Sequence, residues 1–126
     1  MTPALPDSEG FSYREHGLHC EELALDTLAQ RYGTPLYVYS RSAIEGAYAA
    51  YASALKGRSA LVCYAVKADS NLAVLDVLAR RGAGFDIVSG GELARVLAAG
   101  GDASRVVFSG VGKTDVEIEA AMKAGV

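Results

Sequence analysis

Beyond residue 60 the chain alternates between short apolar runs and longer segments of mixed polarity. The apolar runs lack the strict alternation of a half-buried strand, and they are too short to be helices. Runs of this kind are typical of parallel strands that are covered on both faces. We predict strands at residues 61–66, 85–88 and 105–108.

The segments between these runs have the pattern of amphipathic helices. Their apolar residues recur three and four positions apart, and a glycine follows each segment, which is a common end for a helix. A repeat of strand and helix favours a parallel sheet with right-handed crossovers. The helices then lie on one side of the sheet, as in a barrel, or on both sides, as in an open sheet. We predict helices over about residues 71–81, 92–99 and 115–124.

The first part of the chain follows a different pattern. We predict a helix over about residues 23–32 that ends at Gly33, and then a strand at residues 36–39, Leu-Tyr-Val-Tyr. Ser42 and Glu45 have the spacing of a capping box, so we expect a second helix to begin there and to stop at Gly57.

Composition narrows the function classes. The net charge of −3 gives no basic surface for nucleic acid or for an anionic membrane. No apolar run approaches the length of a membrane span, and the amino terminus lacks the pattern of a signal peptide. Cys20 and Cys63 have no metal-ligand spacing. We therefore expect a cytoplasmic protein with no metal, no nucleic-acid partner and no membrane span.

A lysine follows the first predicted strand, within residues 64–69, Tyr-Ala-Val-Lys-Ala-Asp. Lysine is almost never fully buried without a partner. Lys67 is therefore either a desolvated amine that forms a Schiff base or a lysine at a strand end that reaches water. Residue chemistry by itself favours the second interpretation.

Other polar residues occur where the predicted strands end. Asp86 and Ser89 lie at the end of the second strand and Ser109 follows the third, at the edge where parallel βα folds carry their chemistry. The carboxylate of Asp86 is either a turn or helix cap or a site residue. Glu92 stands three residues after Ser89, so it is either part of a capping box or a site residue.

The hexapeptide at residues 64–69 resembles the Tyr-Ala-Val-Lys-Ala-Asn signature of the pyridoxal-phosphate decarboxylases with an alanine-racemase-like barrel, fold type III. Further stretches are similar to the diaminopimelate decarboxylases. The similarity covers roughly residues 11–126, in the order and with the spacing of that family. These stretches are residues 11–13, 32–40, 70–75, 84–93 and 107–113.

The resemblance implies an α/β fold. Residues 1–40 would contribute to a β-domain, and residues 41–126 would form the first part of a pyridoxal-phosphate-binding (β/α)8 barrel. Three βα units are fewer than half of an eightfold barrel, which typically needs about 250 residues. We therefore expect the chain to be the amino-terminal part of a longer protein and to be inactive by itself.

The resemblance also implies an activity, the decarboxylation of meso-2,6-diaminopimelate to L-lysine and carbon dioxide by a homodimer. Lys67 would bind pyridoxal 5'-phosphate as a Schiff base, Asp86 and Glu92 would lie close to the cofactor, and Ser109 would touch it. The alternatives are a related ornithine, arginine or carboxynorspermidine decarboxylase, or a non-catalytic fragment. Asp69 departs from the asparagine that is usual in the family.

Overall fold

The computed structural model describes residues 9–14 and 17–126, which fall into two compact units, one within Met1–Gly46 and the other spanning Ala47–Val126. Residues 1–8 and 15–16 of the predicted amino-terminal segment lie outside the described residues. No helix in the described ranges is both long and apolar enough to cross a membrane.

The first unit contains a small antiparallel sheet. Its strands are β1 (Phe11–Arg14), β2 (Gly17–Cys20) and β3 (Leu23–Ala24), in that order. Helix α1 (Leu25–Tyr32) follows and ends at Gly33, whose φ of 81° lies in the left-handed region. The predicted helix therefore begins two residues late, because Leu23 and Ala24 pair with β2 instead.

The predicted strand at residues 36–39 is wrong, since this segment has no strand pairing among the described residues. Its side chains are largely exposed; Tyr37 is 84% and Tyr39 53% exposed. A preference for strand structure largely reflects packing against a neighbouring strand. No described strand pairs with these residues, so the packing that favours strand structure is absent here.

The next helix, α2 (Arg41–Ala54), begins earlier than predicted. Ser40, which is 3% exposed, accepts the N–H of Ala43 at 3.1 Å and donates its hydroxyl to Glu21 at 2.9 Å. The same Glu21 oxygen accepts the N–H of Ser42 at 2.8 Å, and these bonds hold the pKa of Glu21 below its ordinary value, that to the Ser42 N–H most strongly. Ser42 is therefore not the cap, and Glu45 pairs with Arg41 at 3.0 Å instead.

The second unit carries the predicted parallel sheet, in the order β4-β5-β6. All three predicted strands are present: the first and third are shorter than their apolar runs, and the second is displaced by one residue toward the amino terminus. In register, Ala65 is the neighbour of Asp86, and Asp86 is the neighbour of Val107. The strands are β4 (Cys63–Ala65), β5 (Gly84–Ile87) and β6 (Val106–Phe108).

The three predicted helices that follow these strands are also present. They are α3 (Leu72–Arg80), α4 (Gly90–Ala98) and α5 (Asp115–Ala124). Side chains at their N-caps accept a backbone N–H in the first turn of each helix, which satisfies a donor that the helix itself leaves open. The cap residues are Asn71, Ser89 and Thr114.

The core of the second unit lies on one face of its sheet. Phe85 and Ile87 on β5 are fully buried, together with Leu75 of α3 and Val96 of α4. Side chains alternate along a strand, so Asp86 points to the opposite face. Val107, its neighbour in register, is 51% exposed on that face. The sheet thus has one apolar face and one face that displays a carboxylate.

Candidate functional site

The carboxyl ends of the three parallel strands bring the predicted site residues to one edge of the second unit. Lys67 lies two residues beyond Ala65 on β4, and Ser109 follows Phe108 at the end of β6. Asp86 lies between them on β5, in register with Ala65. The backbone N–H of Ser109 donates to the carbonyl of Ile87 at 2.9 Å, which ties the last two strand ends together.

Lys67 lies in a short 3-10 turn over Val66–Ala68, directly after β4. Its side chain is exposed, so it does not interrupt a buried strand. Val66 beside it is fully buried and anchors the turn. Within the described ranges the Lys67 amine has no hydrogen bond or ion pair. The primary amine of Lys67 is therefore exposed at this edge, and the burial of Val66 fixes the backbone next to it.

Asp86 is the most unusual polar residue of this edge. Its Oδ1 atom is buried and has no hydrogen-bond partner among the described residues. A buried oxygen of this kind costs free energy and calls for an explanation. Asp86 does not cap α4, because Ser89 does so. Burial raises the pKa of the Cys63 thiol, and the negative charge of Asp86 raises it further.

The turn after β5 is held by two local hydrogen bonds. The hydroxyl of Ser89 accepts the N–H of Glu92 at 3.2 Å, as the predicted capping box requires. The carboxylate of Glu92, however, accepts the N–H of Val88 at 2.8 Å rather than that of Ser89. The two bonds close the turn from Val88 to Glu92. Glu92 is half-buried, and its second carboxylate oxygen, Oε1, accepts no hydrogen bond from the described residues.

Lys113 fixes the turn after β6, a contact that the sequence pattern did not predict. Its ammonium donates to the carbonyl oxygens of Ser109 at 2.9 Å and Gly110 at 2.6 Å, and it lies 5.0 Å from the centre of the Phe108 ring. The backbone around Ser109 is thereby held at the strand end.

Asp69 stands where the resemblance implies an asparagine. One of its oxygens, Oδ1, accepts the N–H of Asn71 at 2.9 Å, while the Asn71 side chain accepts the N–H of Ala73 at 2.8 Å and caps α3. The other oxygen, Oδ2, is buried without a partner. Asn71 rather than Asp69 is thus the cap of α3, and Asp69 shapes the turn before it.

The strand ends of this parallel βα sheet carry the amine of Lys67 and the carboxylate of Asp86, one oxygen of which lacks a partner among the described residues. This arrangement is typical of the class of α/β proteins whose chemistry lies at the strand ends. The model of the family "Pyridoxal-dependent decarboxylase, pyridoxal binding domain" matches residues 41–126. The chain belongs to this family. The predicted α/β fold class and the predicted cofactor, pyridoxal phosphate, are thereby confirmed.

Several curated relatives of the chain are diaminopimelate decarboxylases, which confirms the predicted resemblance. The chain is 64% identical over 116 residues to that of Pseudomonas aeruginosa, a match covering 92% of this chain and 28% of the relative. It is 59% identical over 109 residues to that of Neisseria meningitidis, covering 86% of this chain and 27% of the relative. The chain thus spans between a quarter and a third of the length of these curated relatives.

Solved structures agree with these relatives. A protein from Aquifex aeolicus superposes with a TM-score of 0.88 at 44% identity, covering 94% of this chain and 29% of that protein. The diaminopimelate decarboxylase of Helicobacter pylori complexed with L-lysine gives a TM-score of 0.77 at 47% identity, covering 81% of this chain and 26% of that protein.

A structural role of Glu92 in its turn can be separated from the role predicted for it at the site. We expect Glu92→Ala to lower the free energy of unfolding of the chain by about 1 kcal/mol, because the Val88 N–H loses its acceptor. Glu92→Gln keeps an oxygen for that N–H and should retain the stability. In a complete enzyme that carries this chain, we expect Glu92→Gln to lower turnover by about tenfold, as for a lost charged contact worth about 1.4 kcal/mol.

Chemical denaturation of the chain and steady-state turnover of the complete enzyme check this expectation. Full turnover of the Glu92→Gln enzyme would show that Glu92 acts only on the backbone of its turn.

Proposed function

We propose that the chain supplies the pyridoxal-binding part of an enzyme that decarboxylates meso-2,6-diaminopimelate to L-lysine and carbon dioxide. The observation that carries this proposal is the identity of 64% to a diaminopimelate decarboxylase over 92% of the chain, which includes the segment around Lys67. The Helicobacter pylori relative, whose structure was determined with L-lysine bound, also supports it.

The residues at the strand ends fit pyridoxal phosphate. The aldehyde of this cofactor requires a primary amine, and Lys67 presents one that no described residue engages. A carboxylate oxygen without a partner can stabilise a charged amine group beside the cofactor, and the buried Oδ1 of Asp86 is such an oxygen. When bound, the cofactor supplies an electron sink for the electrons that carbon dioxide leaves behind.

We propose distinct roles for four residues of this chain. Lys67 would hold the cofactor through its amine, which arginine cannot replace because the guanidinium stays protonated. Asp86 would favour the charged form of amine groups brought near it, since an opposite charge stabilises that form. Glu92 would add a second negative charge at the same edge. Ser109 would contact the cofactor from the end of β6.

We further propose a larger architecture around these residues. Residues 1–40 would contribute to a β-domain, and residues 41–126 would open a (β/α)8 barrel in a homodimeric enzyme. The sequential order of β4, β5 and β6 supports this, because neighbouring parallel strands joined by helices are the repeating unit of a barrel. Cys20 and Cys63 are free thiols, which fits the reducing cytoplasm.

The proposal is tested in a chimeric enzyme, in which this chain replaces the matching segment of the Pseudomonas aeruginosa diaminopimelate decarboxylase. We expect the chimera to release carbon dioxide from meso-2,6-diaminopimelate and to have much lower kcat/KM with ornithine, arginine or carboxynorspermidine. Preference for one of these other amino acids would contradict the proposed substrate. An inactive but folded chimera would contradict the proposed activity.

A further inference from the structure

Glu117, in the first turn of α5, connects the turns that follow β5 and β6. One carboxylate oxygen, Oε2, accepts the N–H of Thr114 at 3.0 Å and its hydroxyl at 2.9 Å. The Thr114 hydroxyl in turn accepts the N–H of Glu117, which completes a capping box. The other oxygen, Oε1, accepts the N–H of Gly90 at 2.8 Å, across 27 positions of the chain.

The hydrogen bond between Gly90 and Glu117 joins this turn to another element of the fold. The remaining side-chain bonds between Val88 and Glu92 join residues within the turn itself. Among the described residues, Glu117 is the side chain that hydrogen-bonds to this turn from another element. The N–H groups of Gly90 and Thr114 and the Thr114 hydroxyl, in that order, hold the pKa of Glu117 below its ordinary value, so the carboxylate is charged at neutral pH.

Close packing leaves little space for a side chain at Gly90 or Gly110. A methyl group added to Gly90 would lie 3.1 Å from Cγ of Glu117, and one added to Gly110 would lie 3.4 Å from Cβ of Val88. Gly90 therefore lies against Glu117 of α5, and Gly110, in the turn after β6, lies against Val88. Lys113 also fixes Gly110 through its carbonyl oxygen. The turns after β5 and β6 thus form one connected edge.

We propose that Glu117 is a positioning residue that holds the Val88–Glu92 turn in place for cofactor binding at the strand ends. It touches none of the proposed cofactor-binding groups directly. Its bond to Gly90 fixes the backbone between Asp86 and Glu92, the two carboxylates at this edge. The part of this proposal that concerns the cofactor rests on the proposed function; the part that concerns the turn does not.

Hydrogen exchange in the cofactor-free chimera tests the hold on the turn. We expect Glu117→Ala to speed amide exchange in peptides covering residues 88–92 by about tenfold, as for a lost hydrogen bond to a charged group. Glu117→Gln keeps an oxygen that can accept the Gly90 N–H, so it should restore most of the protection. Thr114→Ala is the matched control, because it weakens the cap of α5 and leaves the bond to Gly90 in place.

Cofactor binding tests whether fixing the Val88–Glu92 turn raises the affinity for pyridoxal phosphate. We expect Glu117→Ala to raise the apparent Kd of the chimera for pyridoxal phosphate by about tenfold, while kcat at saturating cofactor stays within about twofold. Thr114→Ala should leave the Kd unchanged, and Glu117→Gln should recover most of it. A role of Glu117 in α5 alone would not produce this difference between the variants.

Two results would overturn the proposal. One is unchanged exchange at residues 88–92 in Glu117→Ala; the other is an equal rise in exchange or Kd in Thr114→Ala, which would assign the effect to the cap of α5. An inactive parent chimera would overturn the proposed function instead, and the exchange data would still decide whether Glu117 holds the turn.

Discussion

Replacing Lys67 with alanine is expected to lower decarboxylation by the chimeric enzyme by more than about a thousandfold, as for the loss of a covalent catalyst. The physical reason is that the amine of Lys67 is displayed at the strand ends without a partner, where it can bind an aldehyde. The Lys67 side chain is exposed and makes no described contact, so the variant should fold as well as the parent. Turnover and thermal unfolding, measured on the same preparations, check both expectations.

Lys67→Arg is the matched control for this prediction. It preserves the positive charge and most of the length of the side chain, but a guanidinium is not a nucleophile at neutral pH. We expect it to be as inactive as Lys67→Ala. If arginine restored turnover, Lys67 would act only through its charge, and the proposed covalent role would be wrong.

Replacing Asp86 with asparagine is expected to lower turnover by about a hundredfold and to leave the fold intact or more stable. Asparagine has nearly the same shape but carries no charge, so it cannot favour the charged form of a nearby amine. The buried Oδ1 of Asp86 has no partner among the described residues, so removing the charge relieves a desolvation cost. Lower activity together with higher stability in a variant is typical of a native residue that serves function rather than stability.

Steady-state kinetics of the chimera and denaturation of the chain measure the two effects of Asp86→Asn. Asp76→Asn is a suitable control, since Asp76 is an aspartate whose ion pair with Arg80 at 2.8 Å is exposed. Loss of stability together with loss of turnover in Asp86→Asn would show that Asp86 is a structural residue.

The second unit could be predicted from the sequence because its signals are local. Short apolar runs, amphipathic segments and glycine stops occur in regular succession, and they correspond to β4 to β6 and α3 to α5. Thr114 and Glu117 encode their capping box within four residues. The polar residues at the strand ends then follow from the topology, because parallel strands bring their carboxyl ends to one edge.

The first unit could not be predicted in the same way, because its structure depends on distant partners. Strands β1 and β2 have only four residues each, too few for a clear alternation. The start of α2 is set by Glu21, which accepts the N–H of Ser42 from 21 positions away and bonds to Ser40, so spacing alone assigned the wrong cap.

Long-range contacts also explain what sequence reasoning missed at the candidate site. The capping box explained Glu117 completely from its neighbours, and only the structure reveals that its second oxygen reaches Gly90. The pattern around Lys113 likewise does not predict its bonds to the carbonyls of Ser109 and Gly110. The exposure of Lys67, by contrast, agrees with the interpretation that residue chemistry favours, since β4 ends at Ala65, two residues before it.

Chemical trapping tests directly whether Lys67 binds pyridoxal phosphate. The chain and the chimera are each incubated with pyridoxal 5'-phosphate, reduced with borohydride, digested and examined by mass spectrometry. We expect the chimera to be labelled selectively at Lys67 and the chain by itself to show no such selectivity. Labelling of the chimera that is spread over its lysines, or concentrated on a lysine other than Lys67, would contradict this expectation.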